Sequence, residues 1–312
     1  MAKARTSPRA RGRLRFRASR DLPLYLLLLP GFVVLLVFCY IPMYGVIIAF
    51  QNYSPFKGIL NSEWTGFANF VFFLTNPAFF KVFRNTLIIS SYFIIFAFPA
   101  PIILALCLNE IGNMAFKRVT QTISYLPYFV SWVVVASLAI NILSPESGLV
   151  NLFLHSVFGV EPIYFLGDSS YFRGVLTVSA IWKDIGIRSV YYLATLATVD
   201  PQLYEAAEID GANIFMKTWY VSIPSLRHIA IILLLLQIGN VLNVSFEQVF
   251  LLSTPLVMDV GDVISTYTYR MGIAQAQFSK TTAVGLTQSV INFALIFSAN
   301  RLSRKLAGWS MW

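Results

Sequence analysis

The sequence predicts an all-α polytopic membrane protein with six transmembrane helices and both termini in the cytoplasm. Three observations carry that expectation. Of 312 residues, 57% are hydrophobic and only 12% charged, against about 45–50% and roughly 25% in an average soluble domain. The mean hydropathy is +0.69. Six stretches are apolar over a length that matches a bilayer core, which takes about 20 such residues in a helix. Together these exclude a soluble globular enzyme, a disordered chain and a disulfide scaffold.

In chain order, residues 1–21 form a basic arm. Eight of the 23 Lys and Arg lie in residues 1–20, with no acid among them, so nearly all of the net charge of +9 is local. That location replaces nucleic-acid binding with a topology signal. The apolar run that follows, 22–50, far exceeds the roughly 7–15 residues of a signal-peptide core and reads as an uncleaved span. Further spans are expected at 86–108, 119–143, 172–199, 228–252 and 282–300, within one transmembrane domain, 22–307, and a tail, 308–312. The fourth is interrupted by Lys183, Asp184 and Arg188. With the N-terminus inside, the cytoplasmic segments hold 15 basic residues and the opposite loops six, as the positive-inside rule requires.

Pro30, Pro42, Pro99, Pro101 and Pro127 punctuate these helices. Each removes a backbone hydrogen bond, which lipid tolerates only where neighbours or a wet cavity satisfy the freed group. A packed, kinked bundle and simple bending both fit. Cys39 and Cys107 fall inside spans, so no disulfide framework is expected. His155 and His228 are the only histidines, and no Gly precedes a Lys anywhere in the chain. Metal-ligand pairing and a phosphate-binding Walker A loop are therefore both missing from the sequence.

The segment between the fourth and fifth spans, 200–224, is the most informative. Asp200 can cap a helix that begins at Pro201, Gly211 permits a left-handed turn, and Asn213 can cap a second short helix that Pro224 ends. The expected product is a helical hairpin. Its residues Glu205-Ala206-Ala207, then Asp210-Gly211-Ala212, then Val221-Ser222-Ile223-Pro224, resemble the EAA loop of binding-protein-dependent ABC importer permeases. The resemblance implies a type I ABC importer permease fold in a bacterial cytoplasmic (inner) membrane. It also implies that 200–224 docks on a separate cytoplasmic ATPase dimer, with Glu205 pairing a basic residue there and Gly211 providing the turn. ATP and Mg would then be used by the ATPase, with no cofactor or metal bound by this chain. The implied partners are a second homologous permease and an extracytoplasmic solute-binding protein.

The resemblance covers essentially the whole chain and points to the carbohydrate branch. Phe56-Lys57-Gly58, Gly66 to Phe70 with Asn69, Asn85-Thr86, Leu126 to Trp132, Gly239 to Phe250, and Thr266 to Gly272 all resemble permeases for complex oligosaccharides. These include permeases for fragments of acidic polysaccharides such as pectin or alginate. Ser245 departs from the glycine expected there.

The fifth span also carries its own argument. At 100° per residue from Gln237, the side chains of Asn240, Asn243, Glu247 and Gln248 fall within one arc of about 140°. A polar stripe avoids lipid, so it either glues helices together or lines a path for sugar hydroxyls. In the fourth span, Asp184 and Arg188 are one turn apart and can pair, leaving Lys183 without a counter-charge. The group is either a structural ion pair or the edge of a path favouring anionic sugars. Trp132, Tyr267 and Tyr269 can stack on sugars, or serve as interfacial anchors.

The leading reading is thus a permease subunit of an ATP-driven oligosaccharide importer, a transport subunit rather than an enzyme. The alternative is an ion-coupled secondary transporter or channel for a polar solute. It would need mid-membrane carboxylates, of which only Asp184 and Glu247 qualify. An intramembrane enzyme lacks a nucleophile–base set.

Overall fold

Lipid offers no hydrogen-bond partner to a free backbone group, so a chain this apolar runs from helix to helix. The computed structural model describes residues 18–308. Residues 1–17 of the expected basic arm and 309–312 of the tail lie outside the described residues. Four helices are long and apolar enough to cross a membrane. They are α1 (Leu22–Phe50), α3 (Pro77–Asn109), α9 (Ile214–Gly239) and α12 (Phe278–Lys305). Between them lie α2 (Ala68–Thr75), α4 (Met114–Phe129) and α5 (Trp132–Ile142). The short helix α6 (Leu149–Phe158) is followed by α7 (Ser169–Leu196) and α8 (Pro201–Ile209). After α9 come α10 (Phe246–Leu252) and α11 (Ile264–Tyr269).

Three departures from the sequence expectation have physical causes. The second span begins at Pro77 rather than 86, because Asn76 caps it by accepting from the Ala78 N–H at 2.9 Å with Pro77 in the first turn. The third span is not one rod: α4 and α5 meet at 102° across Val130–Ser131, where Pro127 sits in a tight 3₁₀ turn. The fifth span breaks after Gly239, and its polar residues beyond that point lie on a turn and on α10 rather than along one helix face. The fourth span holds as a helix of 28 residues despite its three charges.

Three of the prolines are absorbed in one way. A proline at position i clashes with the carbonyl of i−4. Single π turns occupy Leu36–Tyr40, Phe93–Ala97 and Thr218–Ser222. Each is centred four residues before a proline: Pro42, Pro99 and Pro224 respectively. A widened turn moves the clashing carbonyl aside and lets the helix continue. Pro224 therefore does not end the hairpin's second helix; α9 runs through it.

Packing among the described residues forms three cores: the smallest joins Ala105 of α3, Tyr192 and Leu196 of α7 and Leu226 of α9, and two are larger. In one, Phe172 and Leu176 of α7 meet Ile89 of α3, Ala136 of α5, and Val249 and Leu252 of α10. In the other, Phe79 and Val82 of α3 meet Ile264 and Tyr267 of α11 and Val284 of α12. A two-stranded antiparallel ribbon pairs Gln51 with Trp64 and Asn52 with Glu63. Asn69 of α2 clamps it by donating to the carbonyls of Ala49 and Gln51, both at 2.9 Å. Cys39 and Cys107 are both free thiols.

Close helix contact depends on small residues where the hydrophobic effect is lost to lipid. Gly186 of α7 lies so near α4 that a Cβ there would sit 2.0 Å from the Ser124 carbonyl oxygen. In the open space around Gly285 of α12, no heavy atom lies within 4 Å of such a Cβ. Gly186→Ala should therefore destabilise the purified protein by about 1–3 kcal/mol, and Gly285→Ala should not. Thermal midpoints in detergent check this, and equal midpoints for the two variants would refute the close approach.

Candidate functional site

Two constructions stand out: a capped hairpin at one end of the bundle, and a polar cavity within it where the broken spans meet.

The hairpin forms as its local chemistry dictates. Asp200 accepts from the Gln202 N–H at 3.0 Å and starts α8. Gly211 adopts φ +79°, a left-handed conformation that a Cβ disfavours. The Ala212 N–H then reaches back to the Ala207 carbonyl at 2.8 Å, and Asn213 accepts from Met216 N–H at 2.9 Å to start α9. The two arms are tied by a Tyr204–Ser222 hydroxyl pair at 3.0 Å and by a Glu208–Lys217 ion pair. The hydrogen bond to Glu208 raises the Lys217 pKa above its ordinary value.

Glu205, Ala206, Asp210 and Gly211 are exposed, while Ala207 and Ala212 are half-buried against the second arm. The same end leaves large apolar side chains uncovered: Ile209 is 87% exposed, Phe215 82% and Trp219 65%. An uncovered apolar patch beside acidic groups is suited to receiving another protein. The Tyr204–Ser222 tie was not visible in the sequence, since neither residue belongs to the quoted motif's invariant letters.

The cavity sits where the chain breaks. From Asn240 to Ser245 no helix continues, and side chains of three other helices take up the freed carbonyls. Ser90 of α3 donates to Val241, Gln288 of α12 to Leu242 at 2.7 Å, and Ser265 of α11 to Val244 at 3.1 Å. Gln288 also donates to the Asn243 side-chain oxygen at 2.6 Å, and Asn243 to that of Asn240 at 3.1 Å. Ser245 caps α10 by accepting from the Gln248 N–H at 3.4 Å, which gives its hydroxyl a use that glycine could not fill.

A cavity of about 300 Å³ borders this break, with Trp132, Asp184, Arg188, Gln237, Asn243 and Gln248 on its wall. A neighbouring cavity of about 470 Å³ shares Asp184 and Arg188 and adds Tyr128, Tyr191 and Tyr192. The Asp184–Arg188 pair is formed at 3.2 Å, one helical turn apart, with the Arg188 side chain 44% exposed. Arg188 also approaches the Gln237 amide oxygen at 3.5 Å. A third cavity, about 540 Å³ between α5 and α7, is lined by apolar residues, Ser179 and aromatic rings and holds no charged group.

The structure sorts the sequence candidates. Trp132, Arg188, Asn243 and Gln248 come together on one cavity wall. The Gln248 amide, however, is buried and donates to the Leu176 carbonyl at 2.6 Å and the Ser179 hydroxyl at 3.0 Å, so it ties α10 to α7. Asn240 and Glu247 are exposed beside the break but do not line the cavity. Tyr267 is buried in the core against Phe79, centroids 6.0 Å apart, and so cannot stack on a sugar. Tyr269 is exposed in a cluster with Phe246 and Phe250, at 5.0 and 5.3 Å.

Lys183 is buried and is not left uncompensated: its ammonium faces the carbonyls of the α4–α5 break. Asp184, of the charged group in the fourth span, and Gln237, where the polar stripe starts, both line the cavities. Tyr128 joins them, and no sequence pattern reveals which way the bent third span turns it.

The comparisons agree with this architecture. Residues 97–308 match the family described as binding-protein-dependent transport system inner membrane component. Protein LplB of Bacillus subtilis (strain 168) is 47% identical over 286 residues, covering 92% of this chain and 90% of the relative. The polygalacturonan/rhamnogalacturonan transport system permease protein YteP of the same organism is 41% identical over 295 residues, covering 95% and 92%. Among solved structures, a chain of a bacterial alginate ABC transporter bound to an alginate pentasaccharide-loaded periplasmic protein superposes with TM-score 0.87. It is 36% identical and covers 96% of this chain and all of that one. A chain of a bacterial ABC transporter involved in import of the acidic polysaccharide alginate gives TM-score 0.85 at 37% identity, over 93% and 97%.

Proposed function

The chain belongs to the family of binding-protein-dependent transport system inner membrane components, and from that membership we propose how its parts work. It is one permease subunit of an ATP-driven importer, not an ATPase itself. It acts with a second homologous permease, a cytoplasmic ATPase dimer that binds ATP and Mg²⁺, and an extracytoplasmic solute-binding protein. The cargo is an oligosaccharide, and the substrates printed for YteP and for the alginate transporter favour an acidic one.

The membrane topology we assign has six spans with both termini inside. The bent pair α4–α5 counts as one span. Helix α7, about 42 Å long at 1.5 Å per residue, counts as another despite Lys183, Asp184 and Arg188. The basic arm and Arg301, Arg304 and Lys305 then lie on the cytoplasmic side, with the hairpin 200–224, as the positive-inside rule asks.

One observation carries the mechanism. The hairpin's second arm and the helix bordering the cavity are the same helix, α9, continuous from Ile214 to Gly239. A displacement of the hairpin by the ATPase therefore reaches the Asn240–Ser245 break directly, without crossing a loop. We assign Glu205, Ala206, Ala207, Asp210, Gly211 and Ala212 to ATPase docking, with Ile209 and Phe215 as the apolar part of the contact. Closing and opening of the ATPase dimer then alternates the bundle between two arrangements. The exposed carboxylate of Glu205 offers a salt bridge to a basic residue of the docking cleft.

The sugar path runs along Trp132, Asp184, Arg188, Gln237 and Asn243. Amides that donate and accept suit hydroxyls, and the Arg188 fork suits a carboxylate bidentately. A uronate reaching Arg188 adds a second carboxylate to the guanidinium beside Asp184, whose five N–H donors can serve both at once. This tunes the path toward acidic sugars with the guanidinium already paired at rest.

Two outcomes follow in vesicles reconstituted with the whole importer. Glu205→Lys should abolish ATP-dependent uptake while the chain still reaches wild-type amounts in the membrane; unchanged uptake removes the coupling assignment. Arg188→Gln should lower uptake of an acidic oligosaccharide by about tenfold, roughly 1.4 kcal/mol, with a smaller effect on a neutral one. Equal effects on both sugars would remove Arg188 from carboxylate recognition.

A further inference from the structure

The third span is bent through 102°, and a bend of that size frees carbonyls at the end of α4 that the next helix cannot serve. Lys183, on α7, meets them. It is 7% exposed, and its ammonium donates to the carbonyls of Tyr128 at 2.8 Å and Pro127 at 3.5 Å, and to that of Val130. An ammonium has three donors, and here three carbonyls surround it. No carboxylate takes part: Asp184, the next residue, is paired with Arg188. The position at the C-terminal end of α4 also suits a cation to the helix dipole.

The same nitrogen lies 5.6 Å from the ring centroids of both Tyr128 and Trp132, within the roughly 6 Å at which a cation attracts an aromatic face. Those two rings are not incidental. Tyr128 lines the larger polar cavity and Trp132 the smaller, and the Asp184–Arg188 pair is shared by both. Lys183 lines neither. Gly186, one turn further along α7, lets the α4 backbone come close enough for this contact.

We propose that Lys183 is a positioning residue for sugar recognition: it fixes the bend of the third span and, through it, sets the Tyr128 and Trp132 rings as walls of the oligosaccharide path. It acts behind the path, through the rings, and does not touch cargo. This rests on the transport reading above. It assigns the charge left unpaired in the sequence to shaping the path rather than attracting an anion.

The test uses the complete importer in vesicles, with uptake measured per assembled complex. Lys183→Met should raise the apparent KM for the oligosaccharide by about tenfold and change the maximum rate by less than about twofold, a ground-state effect. In a background carrying Tyr128→Leu and Trp132→Leu together the same change should add little further, because Lys183 acts through those two rings. Where Lys183→Met does not assemble, Lys183→Arg is used. That variant keeps the donors but widens the head group, so it should raise KM in the wild-type background and not in the one lacking both rings. An unchanged KM, a loss confined to the maximum rate, or effects that add across the two backgrounds would each overturn the proposal. Absence of ATP-dependent uptake by the wild-type importer would refute the transport reading instead.

Discussion

A backbone carbonyl released inside lipid has no water to turn to, and each one left unpaired costs several kcal/mol. Much of the irregular backbone among the described residues is organised around that constraint. Where a proline blocks a hydrogen bond but the helix must go on, a π turn accommodates it, as at Pro42, Pro99 and Pro224. Where the helix stops altogether, donors arrive from elsewhere in the bundle. Lys183 serves the break at 126–131, and Ser90, Gln288 and Ser265 serve the break at 240–245. Irregular backbone is tolerated at membrane depth only when buried in protein or bordering a wet cavity, and here both breaks border a cavity with polar side chains on its wall.

That arrangement joins two parts of the structure that sit far apart along the chain. The hairpin at 200–224 presents acids and bare apolar side chains, and it is stiffened by Tyr204–Ser222 and Glu208–Lys217. Its second arm continues as α9 to the edge of the cavity. The opposite wall is α7, which carries Asp184 and Arg188 into the cavity and Lys183 away from it. In the proposed mechanism one helix receives the mechanical input, and the other fixes the charge and the aromatic lining that a sugar meets. Asn85 and Arg173 add a polar clamp between α3, α7 and the segment before α11: Arg173 donates to Asn85 at 3.1 Å, and Asn85 to the Asp259 carbonyl at 3.0 Å.

Much of this was legible in the residues. Helix content, the caps at Asp200 and Asn213, the turn at Gly211 and the Asp184–Arg188 pair all follow from local rules that a sequence displays directly. The breaks did not, because a helical wheel presupposes an unbroken helix. The arc drawn through Asn240, Asn243, Glu247 and Gln248 fails once the chain leaves α9 at Gly239. Asn243 still reaches the cavity, by way of a turn. Lys183 does lack a counter-charge, but charge counting along one helix cannot see the carbonyls released on another that surround it. Tyr267 looked like its neighbour Tyr269 in sequence, yet one is packed under Phe79 and the other lies open; only the tertiary contact separates them.

The central claim is that the break at 240–245 forms a wall of the sugar path and is moved by the hairpin. Asn243→Cys, in a chain with Cys39 and Cys107 replaced, tests it by labelling with a membrane-impermeant thiol reagent in the reconstituted importer. The account expects labelling that changes with the nucleotide state of the ATPase and is slowed by bound oligosaccharide. A cysteine there that reacts only with lipid-soluble reagents, at a rate indifferent to nucleotide and sugar, would contradict it.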